Sequence, residues 1–148
     1  MVSPELLRRY PYFKAAGEDT LRELAMVCEV QRFAPGEFLF RDARPAEHLF
    51  ILIQGEVNIQ YRLHGDEHRT VDTRVSGDLL VWSAMVHPYR TTAFGVATRD
   101  TTAVVIDALK LRELCEKDRE LGYDLFKEIA LVMSHRLQGA RVQLAAVG

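Results

Sequence analysis

Between residues 30 and 106 the chain repeatedly changes from side chains that alternate to tight turn chemistry, and that pattern restricts its fold more than any other feature. Gln31-Arg32-Phe33-Ala34 runs into Pro35-Gly36, a turn dipeptide, and Glu37-Phe38-Leu39-Phe40 follows as a short strand. Leu49 to Ile53 is an unbroken apolar run rich in β-formers, closed by Gly55. Val57, Ile59 and Tyr61 alternate with Asn58, Gln60 and Arg62, the signature of a strand buried on one face. His64-Gly65-Asp66-Glu67 forms a polar hairpin tip, and Val71, Thr73 and Val75 alternate on the return. Thr92, Phe94 and Val96 alternate once more, and Thr102 to Ile106 supplies a further strand. About eight short strands with glycine and proline between them predict a mainly β fold, a sandwich or jelly-roll barrel (a double-stranded β-helix), with helices at its flanks.

The flanks carry helical spacing. Ser3-Pro4-Glu5 opens a helix with a capping hydroxyl, proline at the first helical position and an acid for the dipole. Leu6, Leu7, Tyr10 and Phe13 give it an apolar side, and Pro11 breaks it. Thr20 and Glu23 have capping-box spacing, which predicts a second helix from Asp19 or Thr20 with Leu21, Leu24, Ala25 and Cys28 on one face. Asp107 caps a return to helix whose apolar members are Leu109, Leu111, Leu114 and Cys115. In the long final helix Phe126, Ala130, Met133, Leu137, Ala140, Leu144 and Val147 recur at alternating spacings of four and three, a heptad seam. Leu125, Ile129 and Val132 form a second stripe, confined to its first half, that can pack on the barrel and leave the seam for a partner helix. Arg136, Gln138, Arg141 and Gln143 flank the late seam.

At 148 residues the expected organisation is one domain, 1–148, with helices over 1–29, a barrel over 30–106 and helices over 107–148. A net charge of −2 argues against a general nucleic-acid or membrane binder. Cys28 and Cys115 lie far apart without a CxxC motif and read as buried free thiols. The five histidines share no element, so no metal site is expected, and neither a nucleophile elbow nor a P-loop is present. No apolar run is long enough to span a bilayer and no signal peptide is visible, which places the chain in the cytoplasm, away from membranes.

The chemistry concentrates in Gly77-Asp78-Leu79-Leu80-Val81-Trp82-Ser83-Ala84-Met85-Val86 and the following His87-Pro88-Tyr89-Arg90-Thr91-Thr92-Ala93. The pattern predicts a glycine turn, one turn of helix, then an arginine leading into a strand. Such a turn aims backbone N–H groups into one concavity, and a helix start adds its positive end. The Arg90 guanidinium offers a planar fork suited to a phosphate, and the Asp78 carboxylate can accept from a sugar hydroxyl. A nucleotide fits that combination; an ordinary structural turn is the plainer alternative.

The order of these elements resembles the cyclic-nucleotide-binding domains of the cAMP receptor protein type, and so do the residues. Phe33 to Phe40 and Ala46 to Val57 are similar to that family's first barrel half almost without gaps. Gly77-Asp78-Leu79 resembles its phosphate-binding cassette, Gly-Glu-Leu, and Arg90-Thr91-Thr92-Ala93 resembles the Arg-Ser/Thr-Ala that closes it. The resemblance implies that Arg90 holds a cyclic phosphate, supported by Thr91, Thr92 and the N–H groups near Leu79 and Leu80, with Asp78 on the ribose. The hydroxyl pair that reads adenine in the family falls on Ala140 and Arg141, so Arg141 is the side chain available to stack on a purine. Relatives that regulate transcription carry a helix-turn-helix after this helix, and the expectation here is a stand-alone sensor without direct DNA binding. It would bind cAMP, cGMP or a similar small anion, need no cofactor, and form a homodimer through its last helix. A ligand-free dimerisation module of the same fold and a cupin-type enzyme are the competing readings.

Overall fold

The computed structural model describes residues 1–147. Two four-stranded antiparallel sheets face each other in the jelly-roll arrangement. The first runs β1 (Cys28–Phe33), β8 (Thr101–Asp107), β3 (His48–Gln54) and β6 (Leu79–Leu80). The second runs β2 (Phe38–Phe40), β7 (Phe94–Ala97), β4 (Glu56–Arg62) and β5 (His68–Val75). The unbroken apolar run Leu49–Leu52 lies in β3, an inner strand of its sheet, and all four of its residues are buried. Ala103–Ile106 of the neighbouring β8 are equally buried, as expected of strands covered on both faces. In β4, Val57 and Ile59 point into the core between half-buried polar neighbours. On β5, the edge strand, Val71 and Val75 stay exposed despite their alternation.

The helices from the two ends of the chain pack against one another. α1 (Pro4–Arg8) is capped by Ser3, whose side chain accepts from the Leu6 N–H, and a 3-10 turn Pro11–Phe13 follows the break at proline. α2 (Glu18–Met26) begins earlier than its capping-box spacing predicts, because its cap comes from elsewhere. The Gly17 N–H donates to Asp118 Oδ2 at 3.0 Å, and the other carboxylate oxygen of Asp118 accepts from the Leu121 N–H at 3.2 Å. Cys28, placed on the helical face by its spacing, instead opens β1 opposite Ile106. Its thiol is buried and pushed up to about 12 by that burial; half-buried Cys115 is pushed up to about 11 for the same reason. α3 (Ala108–Lys117) is capped by Asp107 as expected and buries Ala108, Leu111 and Leu114, while Leu109 turns out to solvent. α4 (Arg119–Val147) buries Leu121, Leu125 and Ile129 and leaves most of its second half exposed, with Met133 and Arg136 partly buried.

Asp118 joins α2 to the start of α4, and the Gly17 N–H holds its carboxyl below the usual range, helped by further N–H donors. A depressed native pKa contributes stability that is present above the unfolded value and lost as pH falls through the native one. Asp118→Ala should therefore cost about 1 kcal/mol or less at neutral pH, a cap's worth discounted for its exposure. Urea unfolding should show this gap closing below the ordinary carboxylate range near pH 4. A gap that persists unchanged in acid would remove the carboxylate from the account.

Candidate ligand-binding site

The segment expected to hold the site folds in two parts. At Gly77 the backbone takes φ +91°, its N–H donates to the Leu52 carbonyl at 2.7 Å, and its own carbonyl accepts from Tyr12 Oη at 2.8 Å. Asp78 Oδ2 accepts from the Val75 N–H at 2.8 Å and lies 3.9 Å from Arg74 Nε, so this carboxylate is engaged within its own turn. Leu79 and Leu80 are buried and paired with Ile51 and Phe50 as β6, which places them beneath the site rather than in an open loop. The helical turn comes later, at Trp82–Met85, as four residues of 3-10 geometry, too short to carry a macrodipole.

The turn that meets open space is at Val81. This β-branched residue sits at φ +66°, ψ +51°, a left-handed conformation that ordinarily goes to glycine. It lines a small recess of about 40 Å³ together with Trp82, Ser83, Thr91, Thr92 and Ala93 from the same segment. Phe40, Ile59 and Tyr61 complete the sheet side, and Arg136 reaches in from α4. Of the predicted residues, then, Thr91 and Thr92 line the recess, whereas Gly77, Asp78, Leu79 and Leu80 do not.

Thr91 is buried and already committed. Its hydroxyl donates to the Arg41 carbonyl at 2.5 Å and accepts from the Arg44 N–H at 2.9 Å, stitching the recess wall to the 41–44 loop. Arg90 is exposed, and its Nη2 donates to the Ala43 carbonyl at 2.6 Å, outside the lining. Arg141 is exposed on α4 and lies outside it too. Arg112 of α3 fastens the far side of the loop: Nη1 donates to the Ala84 carbonyl at 2.6 Å and the guanidinium lies 4.0 Å over the Tyr89 ring.

Arg136 is the residue that reading the sequence by apolar stripes passes over. Leu125, Ile129 and Val132 face the barrel at spacings of four and three, and Arg136 comes four residues later on that same inward stripe. Its side chain is only 21% exposed, yet Nε and Nη2 are buried without a hydrogen-bond partner. The nearest carboxylate, Asp72 Oδ2 on β5, is 3.6 Å from Nε and is held at 2.8 Å by Arg74 Nη2. Burial and the neighbouring Arg74 charge together pull the Arg136 pKa below its ordinary value. Beside the recess a wider groove of about 420 Å³ continues between β4, β5 and α4, lined by Tyr61, Val71, Arg74, Arg136, Ala140 and Gln143 among others.

The molecule is thus a jelly roll flanked by helices, with a small recess between the barrel and α4. The family model of the cyclic nucleotide-binding domain matches residues 30–118, and the chain belongs to that family. Among solved structures it is similar to a candidate cyclic nucleotide-binding protein from Geobacter metallireducens GS-15, at 31% identity and a TM-score of 0.81 over 93% of this chain and 99% of that one. The sensor domain of the transcriptional regulator DNR from Pseudomonas aeruginosa matches with a TM-score of 0.75 at 17% identity, over 90% of each chain. The regulatory domain of Toxoplasma gondii PKA, solved with cAMP, matches with a TM-score of 0.66 at 19% identity over 75% of this chain and 42% of that one. At these lower identities the likeness is one of fold. No curated protein sequence matches the chain. Among the described residues no helix is long and apolar enough to cross a membrane.

Proposed function

We propose that this chain is a ligand-sensing regulatory domain that takes a cyclic nucleotide or similar small anionic ligand into the recess beside Val81 and signals through α4, along which two copies pair. The observation that carries the reading is the composition of the recess wall. The Val81–Ser83 turn, the Thr91–Ala93 segment and a cation from α4 all face one space, so a molecule there touches the barrel and the helical arm at once. Membership of the cyclic nucleotide-binding family supplies the ligand class, and the PKA regulatory domain solved with cAMP is an example of the fold holding one. A bound ligand shifts the arm only through contacts that differ between its two positions, and the reach of α4 into the recess provides them. Thr92 and the Trp82 ring are available to the ligand, and Thr91 holds the wall in place. In this reading the protein works in the cytoplasm, as a homodimer, without chemistry of its own.

Trp82 is the only tryptophan of the chain and lines the recess, so its emission reports occupancy. Titration with cAMP and with cGMP should give a saturable change for at least one of them, confirmed by calorimetry. No saturation with either up to millimolar concentration would sink the cyclic-nucleotide reading.

A further inference from the structure

Arg136 sits in a position that a neutral recess would not leave as it is. A guanidinium carries five N–H donors and cannot shed its charge in water-like conditions. Burying such donors unpaired is costly, and a buried charge is ordinarily matched by a counter-charge within hydrogen-bond reach. Here Nε and Nη2 are buried and unpaired, and at 3.6 Å Asp72 is too far for a hydrogen bond. Asp72 also has prior obligations: Oδ1 accepts from the Thr73 N–H at 2.9 Å and both oxygens meet Arg74 Nη2 at 2.8 Å. Two guanidiniums, Arg74 and Arg136, therefore lean on a carboxylate that serves only one of them well. Arg136 is the one that reaches into the recess, beside Ser83, Thr92 and Trp82.

We infer that Arg136 of α4, and not Arg90, is the anion anchor of this recess, and that the oxyanion of the ligand takes the place beside Arg136 that Asp72 fills only partly. This rests on the reading of the recess as a ligand site and names the group that fixes the ligand's charge. The planar fork suits a phosphate or a carboxylate, both of which can accept two parallel N–H bonds. Arg90 does not compete for it, because its Nη2 is held on the Ala43 carbonyl and it stands outside the lining. An anchor on α4 also means that the ligand's charge pulls on the arm directly. No relay through the Val81 turn is needed.

The test uses Trp82 emission with two probes on the wild type and on Arg136→Gln, Arg136→Lys, Arg90→Gln and Asp72→Asn. Iodide, an anionic quencher, senses the charge beside Trp82 whether or not any nucleotide binds; acrylamide, which is neutral, controls for access. Arg136→Gln should lower the iodide quenching constant by about threefold with acrylamide unchanged. Arg136→Lys should retain most of it, and Asp72→Asn should raise the iodide constant with acrylamide unchanged, whereas a loosened fold would raise both. With cAMP, Arg136→Gln should weaken binding about ten- to hundredfold, as expected for losing a charge-assisted pair. If wild type binds cAMP and only Arg90→Gln weakens it, the anchor assignment falls while the ligand site stands. If wild type binds no cyclic nucleotide, that reading falls by itself, and the iodide comparison alone decides Arg136. Equal iodide constants in wild type and Arg136→Gln overturn the inference.

Discussion

Gly55→Ala should destabilise the protein by about 2–5 kcal/mol, a large share of the roughly 5–15 kcal/mol that holds a domain of this size together. Gly55 links β3 to β4 at φ +110°, where an L side chain costs about 1–2 kcal/mol in backbone strain. Space adds the rest. A Cβ there would stand 2.5 Å from the Thr101 Cα and 2.7 Å from its Cβ, and would collide with Oγ1. Thr101 cannot step aside, because its hydroxyl accepts from the Glu56 N–H at 3.2 Å and donates to the Arg99 carbonyl at 2.9 Å while its backbone opens β8. Relief would have to come from shifting β8 in a filled core, an overpacking cost of about 1–3 kcal/mol. Gly36 provides the control: φ is +89° but nothing lies within 4 Å of the place a Cβ would take, so Gly36→Ala should cost about 1–2 kcal/mol from strain alone. Urea midpoints of the two variants measure the difference, and equal losses would refute the close approach to Thr101.

The strands were legible wherever burial imposes a period. Val57 and Ile59 alternate because one face of β4 meets the core, and Leu49–Leu52 run unbroken because β3 is covered on both faces. β6 escapes such a reading since two residues have no period, and Leu79 and Leu80 look equally well like the start of a helix. Cys28 misleads for a related reason. Its spacing from Leu24 and Ala25 is helical, but the chain has already left α2 at Met26 and paired Cys28 with Ile106. The cap of α2 was beyond reach of any local rule, being supplied by Asp118 from a residue 101 positions away.

The site was legible in its region and shifted in its detail. A search for a left-handed turn follows glycine, and Gly77 does adopt φ +91°, but its groups bind Leu52 and Tyr12. The turn on the recess is four residues further, at Val81, a residue type whose side chain disfavours that conformation. Arg90 stands out in the sequence by its place after the turn, whereas in the folded chain its guanidinium is held by the Ala43 carbonyl. Arg136 stayed hidden because an inward stripe is counted by its apolar members, and an arginine in phase with Leu125, Ile129 and Val132 reads as a solvated flank.

Leu137→Glu should convert a dimer into a monomer, and it tests the output end of the proposed mechanism. The heptad seam is exposed in the single chain, with Phe126 at 42%, Leu137 at 52%, Leu144 at 75% and Val147 at 82%. The buried stripe of α4 is the other one, led by Leu121, Leu125 and Ile129, so the seam is not needed to hold the helix on the barrel. Two copies related by a two-fold axis would cover the same seam on both chains, the commonest oligomer symmetry. At about 1.5 kcal/mol or more for each large side chain fully covered, four such residues per chain supply on the order of ten kcal/mol across the pair, before the cost of association. In such a pair the alanines at 130 and 140 would let the backbones approach and Leu137 would fill the space between them, while Met133 packs partly on the chain's own core. A glutamate at 137 would bring two carboxylates together on the axis and remove two leucines, enough to dissociate a pair of that strength. The variant should still fold as a monomer, because Leu137 is 52% exposed in the single chain, although its unfolding midpoint falls by whatever the pairing contributed. Sedimentation at micromolar concentration decides: a monomeric wild type refutes pairing along α4, and a variant that still sediments as a dimer moves the interface to another face.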